Sequence, residues 1–158
     1  MTRPVRRPRT CKGGAKRASI PRDLAEQSWA DLDFLGWRDP RSPERAYLSA
    51  EIDGKLVTIA LRCPGPGPLQ KKSSMCSICL TSHTGGVTLM VAPRTGKAGQ
   101  QGNTVGEYLC SDLACSLYIR GKKAVQGLGG RPPERLTLEE KAERTMANLA
   151  AFIAKVTG

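Results

Sequence analysis

Two pairs of cysteines, in Cys76-Ser77-Ile78-Cys79 and in Cys110-Ser111-Asp112-Leu113-Ala114-Cys115, stand thirty residues apart in a chain of 158 residues. A tight turn at the first pair can aim two thiolates at one point, and a second pair completes a tetrahedral set of ligands. Four thiolates leave zinc no open position for a catalytic water. The spacing therefore predicts one structural Zn²⁺ ion, with Cys76, Cys79, Cys110 and Cys115 as its ligands.

The residues around the second pair predict a short helix. Ser111 or Asp112 can cap its start, and Gly121 can end it by adopting a left-handed backbone conformation. Cys110 would then precede the helix and Cys115 would lie early in it. The positive end of the helix dipole favours thiolate over thiol at that position.

Other states of these thiols remain open on sequence grounds, namely buried unligated cysteines or two disulfides. A disulfide framework is typical of small secreted chains, whereas the first residues here are Arg-rich and no apolar segment of a signal peptide follows them. We therefore expect a reducing, cytoplasmic location. Cys11 and Cys63 have no close partner in sequence and are expected to have no metal role. His83 could replace a cysteine as ligand but is expected to be a loop residue near the metal.

The composition indicates a small core and no membrane span. Seven aromatic residues and 39% apolar content can build only a modest core, so metal binding should supply much of the stability. No apolar run approaches the about 20 residues needed to cross a bilayer. A soluble protein without a membrane partner is predicted.

The net charge of +11 is concentrated at the N-terminus. Residues 1–22 hold eight basic side chains and no acidic one, while the rest of the chain holds seventeen basic and fourteen acidic ones. Such a segment cannot bury apolar surface, so a disordered basic tail is predicted over residues 1–22. It could anchor the protein on ribosomal RNA or on an acidic protein surface, or it could be a solvated terminus.

The sequence predicts an α+β fold. Residues 47–52 and 55–62 form a hairpin around Asp53-Gly54, preceded by a short helix at residues 21–27 with Leu24, Trp29, Leu32 and Leu35 as apolar contacts. Strands at 87–92 and 104–109 flank a basic loop at 93–102, and their pairing would bring Cys110 beside the first cysteine pair. An amphipathic helix opens with a Thr137 to Glu140 capping box and should pack on the core through Ala142, Met146, Leu149, Ile153 and Val156.

No catalytic arrangement is found. The glycine-rich stretch at 96–102 lacks the G-x-x-x-x-G-K-[ST] order of a phosphate loop, and a hairpin loop is predicted there instead. The single histidine lies close to cysteines expected to bind metal, so it does not supply a base for a nucleophile. A non-enzymatic protein is predicted.

Several motifs together resemble the FusB/FBP family of elongation factor G-binding proteins. They are residues 76–83, Gly85-Gly86-Val87, residues 102–106 and residues 108–118, the last with Tyr108, Cys110, Asp112, Leu113, Cys115 and Tyr118 in order. The resemblance implies a treble-clef zinc finger, that is, a knuckle, a β-hairpin and a helix, over about residues 74–123. It also implies a zinc-binding domain over residues 23–158 that includes the preceding hairpin and a final helix at about 137–156.

The resemblance further implies binding to translational elongation factor G, release of that factor from ribosomes and, in some members, protection against fusidic acid. Candidate contacts are the basic rim of the module, with Tyr108 or Tyr118 as an aromatic anchor; the basic residues are Arg94, Lys97, Arg120, Lys122 and Lys123. Two other functions remain open: a ribosome- or RNA-binding protein that uses the tail, and a redox sensor that uses the thiols.

Overall fold

The structure, a computed structural model, describes residues 23–63, 73–125 and 135–158. The tail predicted over residues 1–22 and Cys11 lie outside these ranges. Within the described ranges, seven strands form an antiparallel five-stranded sheet of order β1-β2-β3-β6-β7 and a two-stranded sheet of β4 and β5. The strands are β1 (Leu35–Asp39), β2 (Ser42–Ile52), β3 (Lys55–Arg62), β4 (Ser73–Met75), β5 (Ser82–Thr84), β6 (Val87–Pro93) and β7 (Thr104–Cys110), and the helices are α1 (Gly96–Gln100), α2 (Cys115–Ile119) and α3 (Leu138–Thr157).

The first hairpin forms as predicted. Strands β2 and β3 pair from Arg45↔Arg62 to Ile52↔Lys55, and the two residues between them, Asp53 and Gly54, have φ angles of 51° and 76°. Positive φ at both central residues is the type I′ turn, whose twist matches that of the strands. The α+β class is therefore confirmed, and the Asp-Gly signal is located correctly.

The two hairpins share one sheet, which the sequence did not predict. Arg62 at the end of β3 pairs with Val91 of β6, so the β2–β3 and β6–β7 hairpins are continuous. Strand β1 adds a further edge strand where no strand was expected. The predicted loop at 93–102 also contains one turn of helix, α1, so that prediction is only partly correct.

The segment before β1 contains two 3₁₀ helices, Leu24–Glu26 and Trp29–Asp31, the first of which lies within the short helix predicted over residues 21–27. Its apolar contacts are as expected. Leu24, Trp29 and Leu32 pack against a small cluster on one face of the sheet, formed by Leu35, Trp37 and Tyr47. The segment therefore covers the β1 end of that face.

Helix α3 packs on the opposite face of the sheet and completes the main core. Thr137 Oγ1 accepts the Glu140 amide and the Glu140 carboxylate accepts the Thr137 amide, which confirms the predicted capping box. The predicted residues Leu149, Ile153 and Val156 are buried in this core, together with Phe152 and Thr145, which were not predicted. Within the described residues, no helix is long and apolar enough to span a membrane.

A buried ion pair fastens the N-terminal segment to α2. The Arg120 guanidinium donates to both carboxylate oxygens of Asp33 at 2.7 and 3.0 Å, and the Asp33 amide donates to Ser116 Oγ at 3.0 Å. The Asp33 and Arg120 side chains are only 4% and 9% exposed. A bidentate pair in this setting fixes direction as well as position.

We predict that Gly36→Ala destabilises the fold by about 1–3 kcal/mol, because overpacking a core contact forces neighbouring groups to move. A Cβ at residue 36 would overlap Leu113 Cβ and lie 3.0 Å from Leu113 Cδ1. Urea unfolding of the purified protein measures the change. Gly106→Ala is the matched control, because its Cβ would meet nothing nearer than 3.4 Å. Equal loss of stability in both variants would contradict the argument.

We predict that Arg120→Ala lowers the free energy of unfolding by about 3–5 kcal/mol, because Asp33 would stay buried without its counter-charge. Lys122→Ala is the control: its pair with Asp31 is exposed, and such pairs contribute at most about 1 kcal/mol. Removing both Asp33 and Arg120 side chains should cost less than the two single changes added together. Strict additivity in this double-mutant cycle would rule the coupling out.

Candidate metal centre

The four paired cysteines converge on one buried point. Their Sγ atoms all lie within 4.8 Å of one another, with 3.7 Å between Cys76 and Cys115 and 3.5 Å between Cys79 and Cys110. A tetrahedral site with Zn–S bonds of about 2.3 Å has S···S edges of about 3.8 Å. A disulfide would bring the sulfurs to about 2.05 Å, and each of these cysteines is a free thiol. The set is positioned to bind one structural zinc ion.

Three separate elements deliver the thiols. Cys76 and Cys79 lie in a tight turn closed by two backbone bonds, from the Leu80 amide to the Cys76 carbonyl and from the Cys76 amide to the Thr81 carbonyl. Cys110 ends β7, where it pairs with Val87, and Cys115 is the first residue of α2. The predicted placement of both C-terminal cysteines relative to the helix is confirmed.

The start and the end of α2 differ in how well the sequence predicted them. Ala114 occupies the N-cap position and has no side-chain cap bond; Asp112 instead accepts the Ala114 amide at 3.1 Å, so the predicted Ser111 or Asp112 cap is wrong. The end is as predicted. Gly121 has a φ of 68°, and the Lys122 amide donates to the Leu117 carbonyl across it, which is the Schellman arrangement.

Each cysteine pair contains or adjoins a leucine in the left-handed region. Leu80, directly after Cys79, has a φ of 58°, and Leu113, between Cys110 and Cys115, has a φ of 56°. A side chain with a Cβ pays roughly 1–2 kcal/mol for that conformation. The sequence gives no sign of this strain, because glycine and asparagine are the usual residues there.

Polar groups contact three of the sulfurs. The Ile78 amide donates to Cys76 Sγ at 3.4 Å, Cys79 Sγ donates to the Thr81 hydroxyl oxygen at 3.2 Å, and His83 Nε2 lies 3.6 Å from Cys110 Sγ. Four thiolates around Zn²⁺ carry a net charge of −2, and hydrogen bonds to the sulfurs offset it in a dry site. These contacts fit a thiolate centre.

The four thiols lie so close together that their pKa values move in opposite directions. Hydrogen bonding to Cys110 lowers the pKa of Cys79, whereas hydrogen bonding to Cys110 and then to Cys76 raises the pKa of Cys115. The sulfur atoms are too close for all four to ionise without a cation between them. A bound dication removes this conflict by stabilising every thiolate, which is the behaviour of a metal site.

His83 lies beside the cluster rather than in it. It sits in β5 and is fully buried, not in the loop that the sequence predicted, and its ring meets the Tyr118 ring edge-on at 4.5 Å. Gly86 makes room for it, because a Cβ there would come within 2.7 Å of His83 Cβ. His83 thus contacts Cys110 Sγ and packs against the Tyr118 ring.

Cys63 lies apart from the metal cluster. It is buried in the main core, and burial raises the pKa of its thiol, against a smaller opposing effect of the Arg38 charge. A protonated, buried thiol is chemically inert. Among the described residues, the metal-ligating cluster contains only the four paired cysteines, so Cys63 lies outside it.

Some of the candidate partner contacts are buried in the structure and others are exposed. Tyr118 is only 6% exposed and donates to Asp112 Oδ2 at 2.7 Å, and Arg120 is held in the buried pair with Asp33, so neither can serve as a surface contact. Lys122 and Lys123 lie just after α2, near the cysteines, in exposed ion pairs with Asp31 and Asp112.

The remaining candidates lie elsewhere on the sheet. Arg94 and Lys97 are exposed beyond the far end of β6, whose last residue, Pro93, lies six residues along the strand from Val87 at the metal end. That separation is about 20 Å at the rise of a strand. Tyr108 is half-exposed on β7. The candidate partner contacts therefore do not form one surface. Their spacing in the sequence could not reveal this.

Comparisons with known proteins agree with this geometry. No curated protein matches the sequence. A solved structure of the fusidic acid resistance protein FusC has a similar fold, with a TM-score of 0.57 at 19% sequence identity, over 92% of this chain and 55% of the FusC chain. This chain thus spans about half the length of FusC. A family model described as the FBP C-terminal treble-clef zinc-finger matches residues 9–156. With its four-cysteine centre, the chain belongs to the FBP C-terminal treble-clef zinc-finger family.

Proposed function

We propose that this protein is a non-enzymatic adaptor whose zinc centre presents a rigid surface to elongation factor G. The observation that supports the proposal is the convergence of four thiols, because Cys76, Cys79, Cys110 and Cys115 could hold one metal ion and would then tie the knuckle, β7 and α2 together. Such a site has no open coordination position for chemistry. Pre-ordered surfaces bind with a smaller entropic cost.

The docking surface in this proposal is the zinc end of the module, centred on Lys122 and Lys123. Both side chains are about half-exposed, and their ion pairs with Asp31 and Asp112 lie at the surface. Exposed pairs contribute little stability, so a partner carboxylate can replace either one at low cost. The Schellman turn at Gly121 fixes the backbone from which these lysines extend.

The family resemblance and the FusC-like fold support a role of the fusidic acid resistance type, in which the adaptor promotes release of the factor from the ribosome. A translation factor as partner places the protein in the cytoplasm. The alternative is binding of the ribosome or of RNA through the basic segment at residues 1–22, which would neutralise phosphates. Deletion of that segment separates the two functions, because it should abolish only the second.

We predict that Cys115→Ala abolishes stoichiometric zinc binding and unfolds the module, because structural zinc contributes on the order of 10–16 kcal/mol, as much as a whole domain's stability. Elemental analysis and far-ultraviolet circular dichroism measure the two effects. Cys63→Ala is the matched control and should keep one zinc per chain, since it removes a buried thiol outside the cluster. Retention of one zinc by the Cys115 variant would refute the ligand assignment.

We predict that the Lys122→Glu/Lys123→Glu variant binds purified elongation factor G at least about tenfold more weakly at low salt, mainly through slower association, because rim charges steer encounter. Surface plasmon resonance over a range of salt concentrations measures this. Arg94→Glu/Lys97→Glu carries the same charge change at the far end of the hairpin, and Lys55→Glu/Arg135→Glu carries it at two other exposed positions. A larger loss in the Arg94/Lys97 variant would move the docking surface there, and no binding by the wild-type protein would end the proposal.

A further inference from the structure

Among the described residues, no element covers the β6–β7 end of the sheet face opposite α3. Strand alternation defines it: Glu107 and Leu109 face α3, through an ion pair with Lys155 and through the core, so Gly106 and Tyr108 face the other way. Leu89 and Val91 flank Gly106 there, within 3.4 and 3.8 Å of a Cβ built on it. We call Leu89, Val91, Gly106 and Tyr108 the open face. The described part of the N-terminal segment, from residue 23, packs at the other end of this face.

Two arginines border the open face. Arg45 and Arg62 are directly opposite each other in the β2–β3 ladder, and Val91 follows Arg62 in the same row across the sheet. Both are exposed, and neither has an ion pair with an acidic side chain among the described residues. Like charges placed directly opposite each other destabilise a sheet. An anion bound between the two guanidinium groups would remove that cost.

We propose that the open face and this arginine pair form a binding site for single-stranded RNA. Tyr108 is half-exposed beside the aliphatic side chains of Leu89 and Val91, so a base can stack on its ring. Gly106 has no side chain that would block the base. Arg62 lies two strands and two residues from Tyr108, about 12 Å away at normal sheet spacing. The Arg45 and Arg62 guanidinium groups then contact the phosphates of the nucleotides that follow the stacked base.

The arrangement favours RNA over an acidic protein surface. Bases of any identity stack on an aromatic ring, whereas a carboxylate gains nothing from the Tyr108 ring or the aliphatic side chains beside it. The acidic residues of β2 do not oppose a polyanion at this site. Glu44 alternates to the other face from Arg45, and Glu51 lies six residues away along the strand. None of the residues of this site belongs to the docking surface proposed above, Lys122 and Lys123, so the proposal goes beyond the binding of elongation factor G.

Fluorescence anisotropy with a labelled oligouridine of about 12 nucleotides tests the proposal, using the full zinc-loaded chain at several salt concentrations. Tyr108→Ala should weaken binding about 5- to 150-fold, the effect of losing one stacked base, while Tyr108→Phe keeps wild-type affinity. Arg45→Ala/Arg62→Ala should reduce the slope of log affinity against log salt by about 1.4, the value for two phosphate contacts to a single strand. Lys55→Ala/Arg135→Ala, which removes the same charge elsewhere, should leave the slope unchanged.

Zinc content and unfolding midpoints of all variants establish that each is folded. No binding of the wild-type protein at low salt would overturn the proposal. Equal effects of the two double variants would also overturn it, because they would show diffuse attraction to the whole basic chain. Polyglutamate that competes with the RNA, together with unchanged affinity of Tyr108→Ala, would assign the arginine pair to an acidic protein instead.

Discussion

Convergence of four sulfur atoms is the constraint on which this structure depends. Cys76 and Cys79 come from a turn, Cys110 from the end of a strand and Cys115 from the start of a helix, and all four are buried. Four close thiolates repel one another, so the arrangement is favourable only with a cation among them. Leu80 and Leu113 hold left-handed backbone conformations beside their cysteines, and the free energy of metal binding would offset the cost of that strain. Zinc binding and folding of this region are therefore one equilibrium.

Local signals in the sequence were sufficient for several elements. The Asp53-Gly54 turn, the Thr137 capping box and the Gly121 helix end each depend on a few neighbouring residues, and each is present in the structure. The convergence of the cysteines was also predictable, because a β6–β7 hairpin returns the chain to the knuckle. Two pairs of metal-binding residues indicate that their segments meet in space, whereas most residues give no such indication of their distant neighbours.

Predictions that required knowledge of neighbours in space were less successful. Nothing near Arg62 indicates that it pairs with Val91, so the union of the two hairpins was missed. Arg120 and Tyr118 looked like surface residues because arginine and tyrosine are common at interfaces, yet a buried carboxylate and a hydrogen bond to Asp112 hold them inside. Burial of polar side chains is set by partners distant in sequence, and only the folded chain reveals them.

The buried ion pair between Asp33 and Arg120 connects the metal centre to a distant part of the molecule. Arg120 follows α2, whose first residue is a cysteine of the centre, and Asp33 follows the segment that packs on Trp37 and Tyr47. Both tryptophans of the chain, Trp29 and Trp37, belong to that packed region. Loss of zinc would loosen α2 first, then the Asp33–Arg120 ion pair, and then the packing around the two tryptophan side chains. The chain thus carries an intrinsic optical reporter of its own metal content, read as a change in tryptophan emission without any added label.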